Sequence, residues 1–426
     1  LHPSGYSTTL FFLMQRSPLY KTTAVVVAAW LLLPLCSYRL HAIPQFSLIT
    51  GNRCTNCHFT AQGGGGRNEL GWYSGKDMKL LRGNAIGLPV LDDMETNTLA
   101  DGKLTIGGDV RLQAVRSPRS ADAPRVIVPM QIALHAAYQF DPSFKIEAML
   151  DAAALYSVVK NGVTPYQGQQ IWMASAIIQP WKELPSLRVG HFQPSVGMRY
   201  DDHTMLVRQI PGANGTALIP PNYAEYGAEL TYDRPQWLTL SAGVFLPSAL
   251  ASMTTITPNG ELTSLLKAVS STAGVSELLR SPTLTARVVV SPRTEDHRFN
   301  TYVGASVLNN DVFTLVNAFA GIGLTNYLSL MAEYARSGVE NGRQTQAVSV
   351  ELMGQAFVWL LPFVRYEYGT TRISPQSSPT AIFTSQIVLG GQIFPLPFLE
   401  FRPEYRITTT EVFSSQRWTV QMHLFF

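Results

Sequence analysis

Residues 414–426 read Ser-Ser-Gln-Arg-Trp-Thr-Val-Gln-Met-His-Leu-Phe-Phe. Trp418, Val420, Met422, Leu424 and Phe426 fall on one side of an extended chain, and Thr419, Gln421 and His423 fall on the other. Successive side chains of a strand point to opposite faces, so this period-2 pattern reads as a strand with one apolar and one polar face.

The same pattern recurs upstream. In 103–113, Lys103, Thr105, Asp109, Arg111 and Gln113 share one face, and Leu104, Ile106, Val110 and Leu112 share the other. The next stretch sets Val126, Val128, Met130, Ile132, Leu134, Tyr138 and Phe140 against Gln131, His135 and Gln139. In all, sixteen segments carry it: 103–116, 125–140, 143–158, 169–180, 186–198, 224–233, 236–247, 283–291, 298–308, 312–324, 327–337, 343–354, 356–369, 381–394, 397–409 and 414–426. Alternation is weak at 356–368, so the assignment rests on the ensemble.

The links between segments alternate too. Asp141-Pro142, Trp181 to Pro185, Arg234-Pro235, Asn326, Gln355 and Pro395-Leu396 are short, whereas the links on the other side reach 25 residues at 199–223 and 35 at 248–282. Short turns at one end and long loops at the other, on an even number of strands, describe an outer-membrane barrel with both termini on the periplasmic side. The final strand, ending in Phe426, also resembles the signal by which outer-membrane assembly machinery recognises its clients. A soluble sandwich or barrel also alternates, but it needs neither the loop asymmetry nor the outward apolar face.

Composition narrows the class. Hydrophobic residues make up 46% of the chain with no apolar run long enough for a membrane helix beyond the N-terminal region, which favours crossing by strands. Charged residues are 14% and the net charge is +3, which argues against nucleic acid as a partner.

Residues 1–42 read as a secretory signal peptide, with Met14 a credible start. Arg16 and Lys21 form a basic head, Ala24 to Leu35 an apolar run interrupted by Pro34, and Leu40-His41-Ala42 a cleavage site. The run is short of the roughly 20 residues of a spanning helix. Cys36 follows Leu35, too large for a usual lipobox. Of the 3 cysteines, processing would leave Cys54 and Cys57, too few for a disulfide scaffold in a chain this long.

Those two sit in Cys54-Thr55-Asn56-Cys57-His58, the C-x-x-C-H pattern of covalent c-type haem attachment, with His58 placed to ligate the iron. A thiol redox pair and a partial zinc site are the rival readings; the βαβ setting of the first and the further ligand pair of the second are not visible. Glycines 63–66 imply a loop or a close approach of backbone to the porphyrin, Leu70, Trp72 and Tyr73 apolar cover for it, and Gly75 to Arg82 a short helix. For the second iron ligand Met78 leads on proximity, with Met94, His135, His191 and His203 as alternatives. Residues 43–100 are too few to enclose a haem alone, so walls from 101–426 must complete the site. In the 199–223 link, Asp201, Asp202 and His203 offer donors for a cation such as iron, or ordinary turn bonds.

A haem motif after a signal peptide and before a sixteen-strand barrel resembles the fused monohaem cytochrome c–porin proteins, a family that includes outer-membrane iron oxidases. Pro44 and Phe46 ahead of the motif and Leu70-Gly71-x-Tyr73 after it carry the local likeness; the four glycines and Ser47-Leu48 depart from it. The expected fold is all-β, a 16-stranded antiparallel transmembrane β-barrel with a small N-terminal c-type haem segment. The expected function is an electron conduit in the outer membrane of a Gram-negative bacterium. One haem c, at the periplasmic side or in the lumen, would relay electrons between an extracellular donor or acceptor, ferrous iron being a candidate, and periplasmic carriers such as soluble cytochromes. A single haem makes this a one-electron carrier, or at most an iron-oxidising redox protein, and no catalytic residue is assigned. The alternative is a diffusion porin whose haem segment gates or anchors. Outer-membrane lipid is a partner in both, and homo-oligomerisation is left open.

Overall fold

The computed structural model describes residues 44–60, 62–116, 126–153, 170–181, 183–198, 204–211, 218–219, 223–252, 280–292, 294, 298–339, 343–372 and 381–426. The signal-peptide region and Asp201, Asp202 and His203 lie outside the described residues.

The strands are β1 (Thr98–Leu99), β2 (Leu104–Arg116), β3 (Val126–Asp141), β4 (Phe144–Asp151), β5 (Trp172–Ile178), β6 (Ser186–Phe192), β7 (Glu225–Tyr232), β8 (Leu238–Phe245) and β9 (Thr283–Val290). There follow β10 (Phe299–Asn310), β11 (Phe313–Leu324), β12 (Leu328–Val339), β13 (Gln344–Gly354), β14 (Leu360–Arg372), β15 (Ala381–Leu396), β16 (Leu399–Thr410) and β17 (Ser414–Phe425). From β2 onward each strand pairs antiparallel with the next, and β17 returns to β2, from Trp418 opposite Arg116 to Phe425 opposite Asp109. Sixteen strands therefore close a barrel, which leaves no unpaired edge. The two-residue β1 pairs with the start of β2.

The alternation sorts by solvent as the sequence implies, but inside out relative to a soluble barrel. Thr105, Asp109, Arg111, Arg365, Glu404 and His423 are buried in the lumen, while Leu134, Leu150, Leu230, Leu284, Ile322 and Leu389 are exposed on the outer wall. Trp181, Trp237, Tyr327 and Phe357 stand exposed at the short-turn end, an aromatic rim of the kind found at a membrane interface. The fold is thus an outer-membrane, porin-like β-barrel.

Local departures have identifiable causes. Pro129 lacks an N–H, and the β2–β3 register skips Met130, running Arg111 to Gln131 and then Leu112 to Pro129. This bulge turns Met130 inward, so it leaves the apolar outer face on which strict alternation put it. β6 stops at Phe192, short of 198, because the chain turns inward at Pro194. β14 begins at Leu360, not 356: residues 356–359 form a turn closed by Leu360 N–H to the Phe357 carbonyl (3.1 Å), with Phe357 and Trp359 stacked.

Among the described residues, two segments fill the lumen. The first is 44–97, with helices α1 (Pro44–Thr50) and α2 (Glu69–Asp77). It touches strands around the ring: Asn300 Nδ2 donates to the Leu48 carbonyl (2.9 Å), Leu80 N–H donates to that of Phe394 (2.9 Å), and Lys145 lies over the Phe59 ring (4.5 Å). The second is made of the described parts of the β6–β7 link, 193–198 and 204–211, which fold inward. Gly197 N–H donates to Ser306 Oγ (2.7 Å) and Thr371 Oγ1 to the Pro211 carbonyl (2.7 Å). The two meet where Gln62 Nε2 donates to the Val196 carbonyl (2.6 Å) and where Leu48 packs in one apolar cluster with Met198, Met205 and Leu206.

Candidate functional site

Cys54–Asn56 form one turn of 3-10 helix, with Cys57 N–H and His58 N–H both donating to the Cys54 carbonyl (3.2 and 2.9 Å). Three residues per turn stack positions i and i+3, so Cys54 and Cys57 share a side of the turn, with His58 next to them. The turn is fixed from both flanks. Before it, Arg53 pairs with Asp233 (3.4 Å) at the barrel wall. After it, the chain loops through 59–66 and returns, so that Asn68 N–H donates to the Cys57 carbonyl (3.0 Å) and Asn68 Nδ2 to that of Asn56 (2.9 Å).

Asn68 also caps α2, its side chain accepting from Gly71 N–H (3.0 Å). The helix therefore starts at Glu69 and ends at Asp77, ahead of the expected 75–82. Its glycines weaken the sequence signal and serve contact instead. A Cβ on Gly71 would stand 2.3 Å from the Cys57 carbonyl oxygen.

The glycine run curls around the motif. Gly63, Gly64 and Gly65 all have positive φ (81°, 69° and 66°), a left-handed path that other residues adopt only at a cost. A Cβ on Gly63 would lie 3.5 Å from Cys54 Sγ and 4.0 Å from His58 Cδ2. Trp72 is fully buried against Phe398 (5.1 Å between rings), while Leu70 and Tyr73, expected as haem cover, are exposed.

Cys54, Cys57 and His58 are all buried, and neither cysteine is in a disulfide. Burial holds the Cys54 thiol above its usual range, and burial together with the neighbouring Cys54 pushes Cys57 up to about 12. Both stay protonated at neutral pH. Protonated buried thiols are poor nucleophiles, which weakens the redox-pair reading. Among the described residues no group of three or more His, Cys, Asp or Glu side chains could hold a metal ion.

A cavity of about 420 Å³ opens beside the motif. Its inner side is formed by Thr55, His58, Phe59 and Gly64–Gly66, and its outer side by β3–β7, including His135, Lys145, Glu147, Met149, Met173, Arg188 and Glu229. The volume lies in the range of cofactor pockets, roughly 300–1,000 Å³. Two buried thiols and an imidazole in one turn fit the donor set of a c-type haem, with Cys54 and Cys57 as attachment points and His58 as iron ligand; of the three, His58 lines the cavity and the cysteines do not.

The other candidates separate clearly. Met78 is buried in an apolar cluster with Phe46, Ile49, Phe363, Phe394 and Phe425, and does not line the cavity that His58 lines. Met94 closes a short helix, where its carbonyl accepts from Lys76. His191 stacks between the exposed rings of Trp172 and Tyr226 (4.6 Å each) on the outer wall. His135 lines the cavity, and Met149 and Met173 do so without having been singled out in the sequence.

Below the cavity a buried charge cluster ties segment to wall. Asp109 accepts from Arg67 Nη1 (3.2 Å) and His423 Nε2 (2.7 Å), with His135 Nε2 at 3.1 Å, and His423 Nδ1 faces Glu400 (3.2 Å).

No family model matches the chain, and no curated protein does. Solved structures do. OmpT, an outer membrane protein of Vibrio cholerae, is 10% identical over 77% of this chain and 100% of its own, with a TM-score of 0.46. The outer membrane channel DcaP of Acinetobacter baumannii is 10% identical over 76% and 97%, with a TM-score of 0.47. OmpF of Salmonella typhi, in complex with daunomycin, is 12% identical over 76% and 98%, with a TM-score of 0.48. At such identities nothing about cargo or partners transfers, and the barrel rests on its own strand pairing.

Proposed function

We propose that this chain is an outer-membrane electron-transfer conduit of the fused cytochrome c–porin kind, with one haem c attached at Cys54 and Cys57 and ligated by His58. The observation that carries the reading is the position of the C-x-x-C-H turn: inside the barrel, imidazole on a cavity, between the short-turn end and an inward-folded loop. A segment that only tethered or gated would not need two buried thiols on one face of a turn.

Bound there, the haem supplies a one-electron carrier. The chain's residues do the rest. The turn sets the two sulfurs side by side, the glycine run lets the backbone close over them, and Arg67 on Asp109 locks the segment to the wall. The filled lumen on the β9–β15 side restricts water, and the cavity wall balances Lys145 and Arg188 against Glu147 and Glu229, with Arg188 paired to Glu147. In this reading the short-turn end faces the periplasm, where a soluble cytochrome docks, and the donor or acceptor approaches from the long loops, ferrous iron being one candidate.

A second reading is favoured by the barrel itself and by the polar cavity along β3–β7: a diffusion porin with a fixed internal segment. Outer-membrane vesicles separate the two. The conduit requires reduction of a c-type haem on this polypeptide by a membrane-impermeant external donor, with low solute flux. Rapid sugar flux with a haem that no external donor reaches supports the porin.

A further inference from the structure

The barrel wall of the cavity that His58 lines carries three side chains in one row. His135 on β3 stands opposite Met149 on β4 in the strand register, and Met149 stands opposite Met173 on β5. All three are less than a tenth exposed, and all three line the cavity that His58 lines.

The row breaks the character of its strands. The other inward residues of β4 are Lys145, Glu147 and Asp151, and Ser175 follows Met173 on β5, so two thioethers interrupt a polar lumen wall. Their buried apolar company is only Ala133 and Ala224 among the described residues. Such small neighbours leave the flexible methionine chains room to reach into the cavity. His135, by contrast, stands with its Nε2 3.1 Å from the Asp109 carboxylate, which is itself held by Arg67 and His423.

We propose that the second axial ligand of the haem iron comes from the barrel wall, as a thioether of the Met149–Met173 pair, and not from the segment that carries the motif. This rests on the haem reading above. Soft thioether sulfur suits iron opposite an imidazole and raises the reduction potential relative to two imidazoles. Ligation from the wall would also tie the motif-bearing segment to the barrel, with His58, Cys54 and Cys57 contributed by the one and Met149 or Met173 by the other.

The test uses the purified full chain with its haem, as Met149→Leu, Met173→Leu and the double variant; Leu conserves volume closely enough to keep the barrel folded. The readouts are covalent haem stain, the near-infrared thioether-to-iron charge-transfer band of the ferric protein, and the reduction potential. The double variant should keep its haem stain, lose the band and fall in potential, and one single variant should reproduce that loss. His135→Gln should leave the band in place. A double variant with the wild-type band, or a wild-type spectrum of two imidazoles that His135→Gln abolishes, overturns the proposal and leaves the haem reading standing. A wild-type chain without haem stain removes both.

Discussion

Asp109→Asn removes one negative charge and almost no volume, at the point where segment 44–97 is fastened to the barrel. The native carboxylate meets Arg67 of the segment at 3.2 Å, and its side chain is 3% exposed against 14% for Arg67. Removing one partner of a buried pair costs about 3–5 kcal/mol because the other charge is left uncompensated. Arg67 keeps some access to water, and its guanidinium also lies over the Phe425 ring (4.5 Å), so the low end, about 3 kcal/mol, is the better figure. At roughly 1.4 kcal/mol per tenfold, the equilibrium between seated and unseated segment should shift about 100-fold. Conductance of single barrels in planar bilayers reads this directly, as more frequent openings. Asp109 also holds His423 and His135, so heat-modifiable migration should confirm that the barrel itself is intact. Arg67→Gln should act in the same direction, and the double variant should be little worse than either single one, since the two share one interaction. Fully additive effects, or Asp109→Asn barrels as quiet as wild type, would refute the latch.

Other perturbations read other parts of the account. Gly63→Ala places a side chain at φ 81° and against Cys54 Sγ; the strain, on the order of 1–2 kcal/mol, should lower the covalent haem content per polypeptide. Trp72→Ala empties a fully buried site against Phe398 and should destabilise the segment by about 3–5 kcal/mol, seen as protease cleavage within 44–97 while the barrel stays protected. In haem-free protein, Cys57 with its pKa near 12 should alkylate at pH 8 roughly a thousandfold more slowly than in the denatured chain, because the thiolate is the reactive form. The sign for stability follows. A thiol whose pKa rises from 9.0 to about 12 on folding favours the folded segment below pH 9 and loses that contribution as pH climbs towards 12. Haem-loaded protein, with thioethers in place of thiols, should show no such loss.

Much of the barrel is written in its side-chain alternation, because one face of every strand meets lipid and the other a polar lumen. The final strand shows this directly: Trp418, Val420 and Leu424 are exposed, and Thr419, Gln421 and His423 buried. Alternation fails where the backbone changes register without changing composition. The bulge at Met130 inverts the face of its neighbours, and only Pro129 hints at it. The inward turn after Phe192 is likewise silent, since a loop that folds into a polar lumen has no composition of its own.

In the candidate site, Cys54, Cys57 and His58 are legible because the spacing is local. The helix from Glu69 is obscured by Gly71 and Gly75, which are there for contact with Cys57 and Phe425. The row of His135, Met149 and Met173 cannot be read from the chain, because it exists only through cross-strand register. Met78 shows the converse: nearness in sequence to His58 did not bring it to the cavity.

The central claim is that this barrel carries one covalently bound haem. Express the full chain in a host that matures c-type cytochromes, separate it by denaturing electrophoresis, and stain for haem beside Cys57→Ala. Haem staining is expected at the wild-type polypeptide and is lost in the variant, with both forming heat-modifiable barrels. A wild-type band that folds as a barrel and carries no haem would contradict it.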